Sequence, residues 1–377
     1  MMYELIATAT FGLEAVVRRE IEHLGYKVTR TEDGKVTFLG DVRAIVKANL
    51  WLRSADRVLI KMAEFDAKES EDLFQQVKGI AWEELIPPDG KFTVNCSTVK
   101  SKLRSEPNNQ KTVKKAIVDR LAAEYGMERF PETGAEYTVK VTLLKDRATI
   151  TVDTSGEGLH KRGYRVAPVA APLKETLAAA MVELSFWNSG RVLLDPCCGS
   201  GTIPIEAALI GRNIAPGLER TFACEKWDLI PEEIWKDERG KAREAADDRI
   251  MAITASDIDP AAIKAARKNA ETAGVADTIK FETSDIRYAL GDPVKMPDHG
   301  IIISNPVYGE RIGDQEQKDE VFAAIARFMK RRPDWSVFLI TPDKKTEEKT
   351  AGRRADRRRK LYNGNIEVCY YQFHGEK

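Results

Sequence analysis

Val192-Leu193-Leu194-Asp195-Pro196-Cys197-Cys198-Gly199-Ser200-Gly201-Thr202 is the stretch that decides the fold of this 377-residue chain. A short apolar run ends in an aspartate, turns through two glycines and enters an apolar helix from Ile203 to Ile210. Strand, tight turn and helix in that order are the unit of a doubly wound α/β sheet. Glycine lets backbone approach a ligand closely, and the N–H groups at a helix start favour a carboxylate there. The spacing is D-x-x-x-G-x-G with no third glycine three residues on, so this is not the dinucleotide fingerprint.

Two further acids follow the same pattern. In Ala255-Ser256-Asp257-Ile258-Asp259-Pro260, Asp259 reads as an N-cap with Pro260 at the first helical position, and Gly274 closes the helix. Asp257 is left to point into the crevice and take two ribose hydroxyls. Asp285, in Thr283-Ser284-Asp285-Ile286, follows another short strand. Three acids at the carboxyl ends of successive strands converge at the switch point of such a sheet, which predicts a ligand with a positive end and a sugar but no pyrophosphate. Ile301-Ile302-Ile303 and Val337-Phe338-Leu339-Ile340 are further buried strands, and Asn363-Gly364 marks an antiparallel edge hairpin. Glu206, the one acid on the apolar helix, reads as support and not as a catalyst.

This constellation resembles the class I S-adenosylmethionine-dependent methyltransferases. The resemblance implies a Rossmann-like domain with S-adenosyl-L-methionine as cofactor. Asp195, Pro196, Cys197, Gly199, Gly201 and Thr202 then hold the methionine end, Asp257 the ribose, and Asp285 the adenine side, with Ile258 and Ile286 flanking the adenine. The helix in Ala171 to Ala180 packs beside that pocket, its alanines serving close helix–sheet contact.

Ser304-Asn305-Pro306-Val307-Tyr308-Gly309 ends the strand Ile301 to Ile303. An exocyclic amine has its lone pair delocalised into the base, and no side chain cheaply removes its proton first. The Asn305 amide oxygen and the Pro306 carbonyl, gripping the two amine hydrogens, localise that lone pair; Tyr308 stacks on the base. The stretch resembles the (Asp/Asn)-Pro-Pro-(Tyr/Phe) signature of amino-methyltransferases acting on adenine or guanine, with Asn305, Pro306 and Tyr308 catalytic and Asn305 also beside the cofactor. Val307 departs from it, losing the restraint that a second proline places on Pro306.

The N-terminal half is α+β. A helix is predicted over Glu14 to His23, strands over Lys35 to Leu39, Arg57 to Met62, Phe92 to Cys96, Tyr137 to Val141 and Ala148 to Val152, and a helix over Asn109 to Tyr125. Phe11-Gly12-Leu13-Glu14, Trp51 to Arg57, and Asp153-Thr154-Ser155-Gly156-Glu157-Gly158-Leu159-His160-Lys161-Arg162-Gly163-Tyr164-Arg165 resemble bacterial THUMP-domain methyltransferases, relatives of the N-terminal half of the 23S ribosomal RNA guanine-N2 methyltransferase RlmL. The resemblance covers essentially the whole chain. It implies a ferredoxin-like domain over 1–64, a THUMP RNA-binding domain over 65–157, a linker over 158–168 and a methyltransferase domain over 169–377. It also assigns the insertion from about Gly211 to Arg249 to the family, its Trp227 and Trp235 reading as buried and not as base-stacking. RlmL carries a second methyltransferase domain, and the end at Lys377 leads us to expect only one here.

Composition bounds the partners. With 43% hydrophobic and 31% charged residues the chain is globular, and its apolar runs are too short for a membrane span. There is no basic-then-apolar leader, so a cytoplasmic location is expected. Five cysteines (Cys96, Cys197, Cys198, Cys224, Cys369) and four scattered histidines show no metal spacing, so no metal is assigned. The 59 cations balance 59 acids, which argues against nucleic acid only if charge is evenly spread. It is not. Lys91, Lys100, Lys102, Arg104, Lys111, Lys114, Lys115, Arg120 and Arg129 cluster before residue 130, and a second run extends from Lys344 to Lys360. Lys100, Lys102, Arg104, Lys111, Lys115, Arg354 and Arg358 are the candidate RNA contacts. The leading expectation is methylation of a guanine N2 in 23S ribosomal RNA, with the base flipped from its stack. A transfer-RNA guanine, a DNA adenine N6, or a non-catalytic RNA-binding assembly role are the alternatives.

Overall fold

The structure, a computed structural model, describes residues 1–167, 172–290, 295–306, 314–350 and 352–376. Contacts group the chain into two interleaved units. Met1–Thr8, Arg18–Leu159 and Thr221–Gly240 form the first; Ala9–Val17, His160–Arg220 and Lys241–Lys377 form the second.

The first unit is built on β1 (Tyr3–Ala9), the second half of α1 (Glu14–His23), β2 (Lys27–Glu32), β3 (Lys35–Gly40), α2 (Val42–Trp51) and β4 (Ala55–Asp66), a ferredoxin-like run. The THUMP elements follow: α3 (Ser70–Lys78), β5 (Lys91–Val99), α4 (Glu106–Tyr125), β6 (Glu136–Leu144) and β7 (Arg147–Asp153). All seven strands share one sheet, ordered β2-β3-β1-β4-β7-β6-β5. The long β4 joins the halves by pairing antiparallel with β7 from Leu59↔Asp153 to Asp66↔Arg147. Along β6, Tyr137, Val139, Val141 and Leu143 alternate into the core. On α4, Val113, Ala116, Ile117 and Leu121 are buried, while Lys111 and Lys115 face solvent. That helix starts three residues before the apolar spacing predicts, because Ser105 caps the Asn108 N–H and Pro107 fits the first turn.

The second unit contains α5 (Glu175–Leu184), β8 (Leu193–Asp195), α6 (Thr202–Gly211), the end of α7 (Glu232–Glu244), β9 (Ile253–Asp257), α8 (Pro260–Thr272), β10 (Ile279–Thr283) and α9 (Ile286–Ala289). It continues with β11 (Ile301–Ser304), α10 (Asp314–Arg331), β12 (Ser336–Thr341), α11 (Thr346–Thr350), β13 (Arg357–Asn363) and β14 (Ile366–Phe373). The sheet order is β10-β9-β8-β11-β12-β14-β13. The strands from β10 to β12 run parallel, and β14 pairs antiparallel with both β12 and β13. This is the Rossmann-like sheet with its edge hairpin, turned at Gly364 (φ 62°). Ala178, Ala180, Ile205, Ala208, Ile263 and Ala266 pack on one face with Ile301 and Ile303. Phe322, Ile325 and Phe328 of α10 cover the other, with Ile302 and Leu339. Burial on both faces is why these strands read as unbroken apolar runs. Among the described residues no helix is long and apolar enough to cross a membrane.

Thr221–Gly240 follows α6 in the chain yet belongs to the first unit. Trp227, 2% exposed, stacks on Tyr137 with ring centroids 4.7 Å apart, and its Nε1 donates to the Glu136 carbonyl at 3.0 Å. Trp235, also buried, stacks on Phe222 at 5.5 Å. Arg43 of α2 pairs with Asp237 and Glu238. Both tryptophans are core side chains, as their reading from sequence expects. Trp227→Ala is expected to lower the stability of this unit by about 3–5 kcal/mol in urea unfolding; a loss below about 1 kcal/mol would show that the insertion does not fold with it.

Candidate functional site

The order of the second sheet reverses between β8 and β11, so their carboxyl ends open a crevice. Asp195 is the last residue of β8 and is 1% exposed. Its Oδ1 accepts from Ser304 Oγ at 2.8 Å and from the Cys197 N–H at 3.3 Å. Its Oδ2 is buried and has no hydrogen-bond partner among the described residues. Burial, reinforced by the charge of Asp257, pushes the carboxyl up to about 7 despite the lowering bonds from Ser304 and Cys197. The Cys197 thiol is likewise driven well up by burial and the two acids, which keeps it protonated and no nucleophile.

The turn that follows is held open by its glycines. Gly199 (φ 52°) has nothing within 4 Å of where a Cβ would sit, while a Cβ on Gly201 (φ 81°) would lie 3.0 Å from that of Ala266. Gly201 is thus fixed by conformation and by the approach of α8. Pro196 and Thr202 are buried at the two ends of the turn. Asp257, at the end of β9, accepts the Gly199 N–H on Oδ2 at 2.9 Å and the Asp259 N–H on Oδ1 at 3.0 Å. Each oxygen keeps a lone pair for a further donor. Asp259 caps α8 as expected, accepting from Ala261 N–H at 2.8 Å.

Beyond β10 the geometry differs from the sequence reading. Asp285 caps α9 and is gripped by Arg287, whose Nη2 lies 2.7 Å from Oδ2, holding the carboxyl below its usual range. Ile286 packs into the core beside Leu194 and Ile302, while Ile258 is 54% exposed at the crevice. Of the two isoleucines, Ile258 presents the open apolar surface. The Asp-x-Arg spacing of Asp285 and Arg287 is the signal that the sequence reading left unused.

Asn305 directly follows β11; its Oδ1 is buried with no hydrogen-bond partner among the described residues, and Pro306 beside it is buried. Val307, Tyr308 and Gly309 lie outside the described residues. Two orphaned buried acceptors, on Asp195 and Asn305, thus occur at the ends of adjacent strands with an open glycine turn beside them. Burying an acceptor without a partner is costly, so these atoms suit donors brought by a ligand. An amino acid moiety fits the first and an amine the second. Among the described residues no group of three His, Cys, Asp or Glu side chains is placed to hold a metal ion.

The basic clusters differ in part by their partners: in the first, Lys91 pairs with Glu136 at 2.7 Å and Arg120 with Glu83 and Glu124. Lys100, Lys102, Arg104, Lys111 and Lys115 of the first unit are exposed and make no ion pair among the described residues, Lys115 lying 5.7 Å over the Phe74 ring. In the second unit Arg358 pairs with Glu347 at 3.4 Å, Lys360 with Glu367 at 2.7 Å, and Lys349 with Asp319 and Asp343 at 2.9 Å. Arg354 is exposed.

Comparison with known proteins agrees with this architecture. The model of the family described as RMKL-like, methyltransferase domain matches residues 162–372, that of the RlmL ferredoxin-like domain residues 4–59, and that of the THUMP domain residues 67–153. A Bacillus subtilis (strain 168) protein named "Putative RNA methyltransferase YpsC" is 46% identical over 374 residues, covering 98% of this chain and 96% of that one. The crystal structure of "a predicted N6-adenine-specific DNA methylase" from Listeria monocytogenes is 44% identical with a TM-score of 0.94, covering 100% of this chain and 97% of that one. That of SMU.472, "a putative methyltransferase complexed with SAH", is 42% identical with a TM-score of 0.92, covering 100% and 99%. The chain belongs to the RMKL-like methyltransferases that carry RlmL-type ferredoxin-like and THUMP domains, and S-adenosylmethionine is its methyl donor.

Proposed function

We propose that the protein methylates the exocyclic N2 amine of a guanine in structured RNA, with 23S ribosomal RNA as the substrate. The observation that carries this reading is the buried Oδ1 of Asn305 at the end of β11, which has no partner among the described residues. It is an acceptor placed for an amine hydrogen, and the Pro306 carbonyl is proposed as the second. Together they turn the nitrogen lone pair out of the base. When bound, the cofactor supplies an electrophilic methyl on a sulfonium. As the new N–C bond forms the old S–C bond breaks, and the amine proton is lost to water. No strong base is required of the chain; alignment carries the rate. Tyr308 is proposed to stack on the base. On the cofactor side Asp195 takes the ammonium of the methionine end, Asp257 the ribose and Ile258 the adenine face.

RNA in place of DNA is supported by the THUMP domain and by the name of the Bacillus subtilis relative, and the unpaired cations around α4 fit a phosphate backbone. The name of the Listeria monocytogenes structure favours adenine N6 as the second reading. Incubation with labelled S-adenosylmethionine and ribosomal RNA, transfer RNA or DNA, followed by identification of the methylated base, separates the readings. Label in N2-methylguanine of ribosomal RNA is expected; label only in N6-methyladenine of DNA would overturn the proposal.

Asn305→Ala is expected to lower kcat by about 100–1000-fold while leaving S-adenosylhomocysteine affinity within about threefold; undiminished turnover would remove Asn305 from the chemistry. The Asp195 carboxyl, held near 7, must lose its proton to receive an ammonium. Because its folded pKa is raised, the protonated form dominates below that value. S-adenosylhomocysteine binding, measured by calorimetry, should therefore tighten from pH 5.5 to 7.5, and Asp195→Asn should flatten the profile and weaken binding about tenfold at the upper end. Replacing Lys111 and Lys115 together by Ala is expected to weaken RNA binding and reduce the log–log salt slope by about 2. An unchanged slope would place the RNA elsewhere.

A further inference from the structure

The glycine turn is gripped by residues of the stretch 158–168, expected from sequence to be a linker. Arg165 Nη1 donates to Ser200 Oγ at 3.3 Å and Nη2 to Thr202 Oγ1 at 3.2 Å. The same guanidinium reaches the start of α5, with Nε on Glu175 Oε1 at 2.8 Å and Nη2 on the Leu173 carbonyl at 2.9 Å. Asn269 of α8, 1% exposed, donates from Nδ2 to the Ser200 carbonyl at 3.1 Å. Its Oδ1 accepts the N–H groups of Val166 and Ala167, each at 3.1 Å. One turn further along α6, buried Glu206 is held by Arg162 at 3.4 Å and by Tyr164 Oη at 3.0 Å.

Two left-handed glycines flank Ser200, so the turn has little intrinsic preference for one shape. Its order must come from outside, and the fixed fork of Arg165 with the amide of Asn269 supplies it at the hydroxyl and carbonyl of Ser200. We propose that Arg165 and Asn269 are positioning residues for the cofactor. They hold Ser200 to Thr202 in the binding shape before the ligand arrives, so that binding does not bear the cost of ordering the turn. The proposal rests on the reading of this turn as the cofactor cradle.

The test is S-adenosylhomocysteine binding by calorimetry together with the split between KM and kcat for S-adenosylmethionine, on the full chain. Arg165→Met alone would strand the buried Glu175 carboxylate, so Arg165→Met is combined with Glu175→Met, removing both charges. Asn269→Asp keeps the acceptor for Val166 and Ala167 but loses the donor to Ser200. Each variant is expected to raise the dissociation constant and KM about tenfold, with kcat at saturation within twofold. Arg162→Met combined with Glu206→Met is the control: it removes the neighbouring buried pair without touching Ser200, and affinity should stay within twofold whatever its melting temperature. Unchanged affinity in folded variants, or an equal loss in the control, overturns the proposal. If both variants fail to fold, Ser200→Ala, which deletes one contact, should still weaken binding about threefold, and no change overturns it. A wild-type protein that does not bind S-adenosylhomocysteine overturns the reading of the turn as well.

Discussion

The hydrogen bond from Ser304 Oγ to Asp195 Oδ1, 2.8 Å long, closes the point where the second sheet reverses its order. The helix after β8 packs on one face of that sheet and the helix after β11 on the other, so the chain parts just beyond the two strand ends. Without a tie, the two ends would be free to splay. The Ser304 hydroxyl takes one carboxylate oxygen, and the other is buried with no partner among the described residues. Asn305 is the next residue, so the same bond sets where its amide starts. The acid and the amide that are proposed to meet the cofactor and the amine are thereby placed by one contact. The cost is a carboxylate buried with an open valence, and its displaced pKa registers that cost.

Much of this arrangement was legible in the sequence because it is local. An acid ending an apolar run, glycines at fixed offsets and a capped helix each declare themselves within about ten residues, and Asp195, Gly199, Gly201, Asp257 and Asn305 all lie at strand ends or turns. Edge and long-range features were not. β2 (Lys-Val-Thr-Arg-Thr-Glu) is a polar edge strand without an alternating face, so periodicity passes over it. The allegiance of Trp227 to Tyr137 joins segments about ninety residues apart, and no local pattern encodes it. Ile286 follows an acid at a strand end just as Ile258 does, yet one is core and the other open. Only the path of the next helix separates them.

Charge shows the same limit from another side. Counted along the chain, the two basic runs are equals. A cation already paired with a carboxylate offers phosphate less, because the existing partner must be displaced or neutralised. Lys349, Arg358 and Lys360 are in that position, as are Lys91 and Arg120, whereas Lys100, Lys102, Arg104, Lys111 and Lys115 have no such partner among the described residues. Arg359 is also committed, donating to the Gly12 carbonyl at 2.7 Å. The run on β13 lies at an open sheet edge, where charged side chains have a separate use in preventing strand-to-strand association. Residue type therefore nominates both runs for RNA, and pairing favours the one around α4.

Asp153 to Arg165 shows why polarity is a poor sign of groups without protein partners. Asp153 accepts from Arg57 at 2.5 Å and Lys140 at 3.1 Å, and its other oxygen caps the Ser155 N–H at 3.0 Å. Thr154 and Ser155 bond to buried Asn49 at 2.9 and 2.7 Å. From His160 on, the chain belongs to the second unit, and Arg162, Tyr164 and Arg165 there find Glu206, Glu175 and the glycine turn. A polar stretch is solvated when its groups lack protein partners and rigid when nearly all of them have one. Asp153, Thr154, Ser155 and Arg162 are polar and buried, and within its own unit each meets a matching donor or acceptor, while Glu157 and Lys161 are exposed. Its hydrogen bonds, not its composition, join Arg165 and Val166 beyond it to the glycine turn and to the Asn269 that holds it.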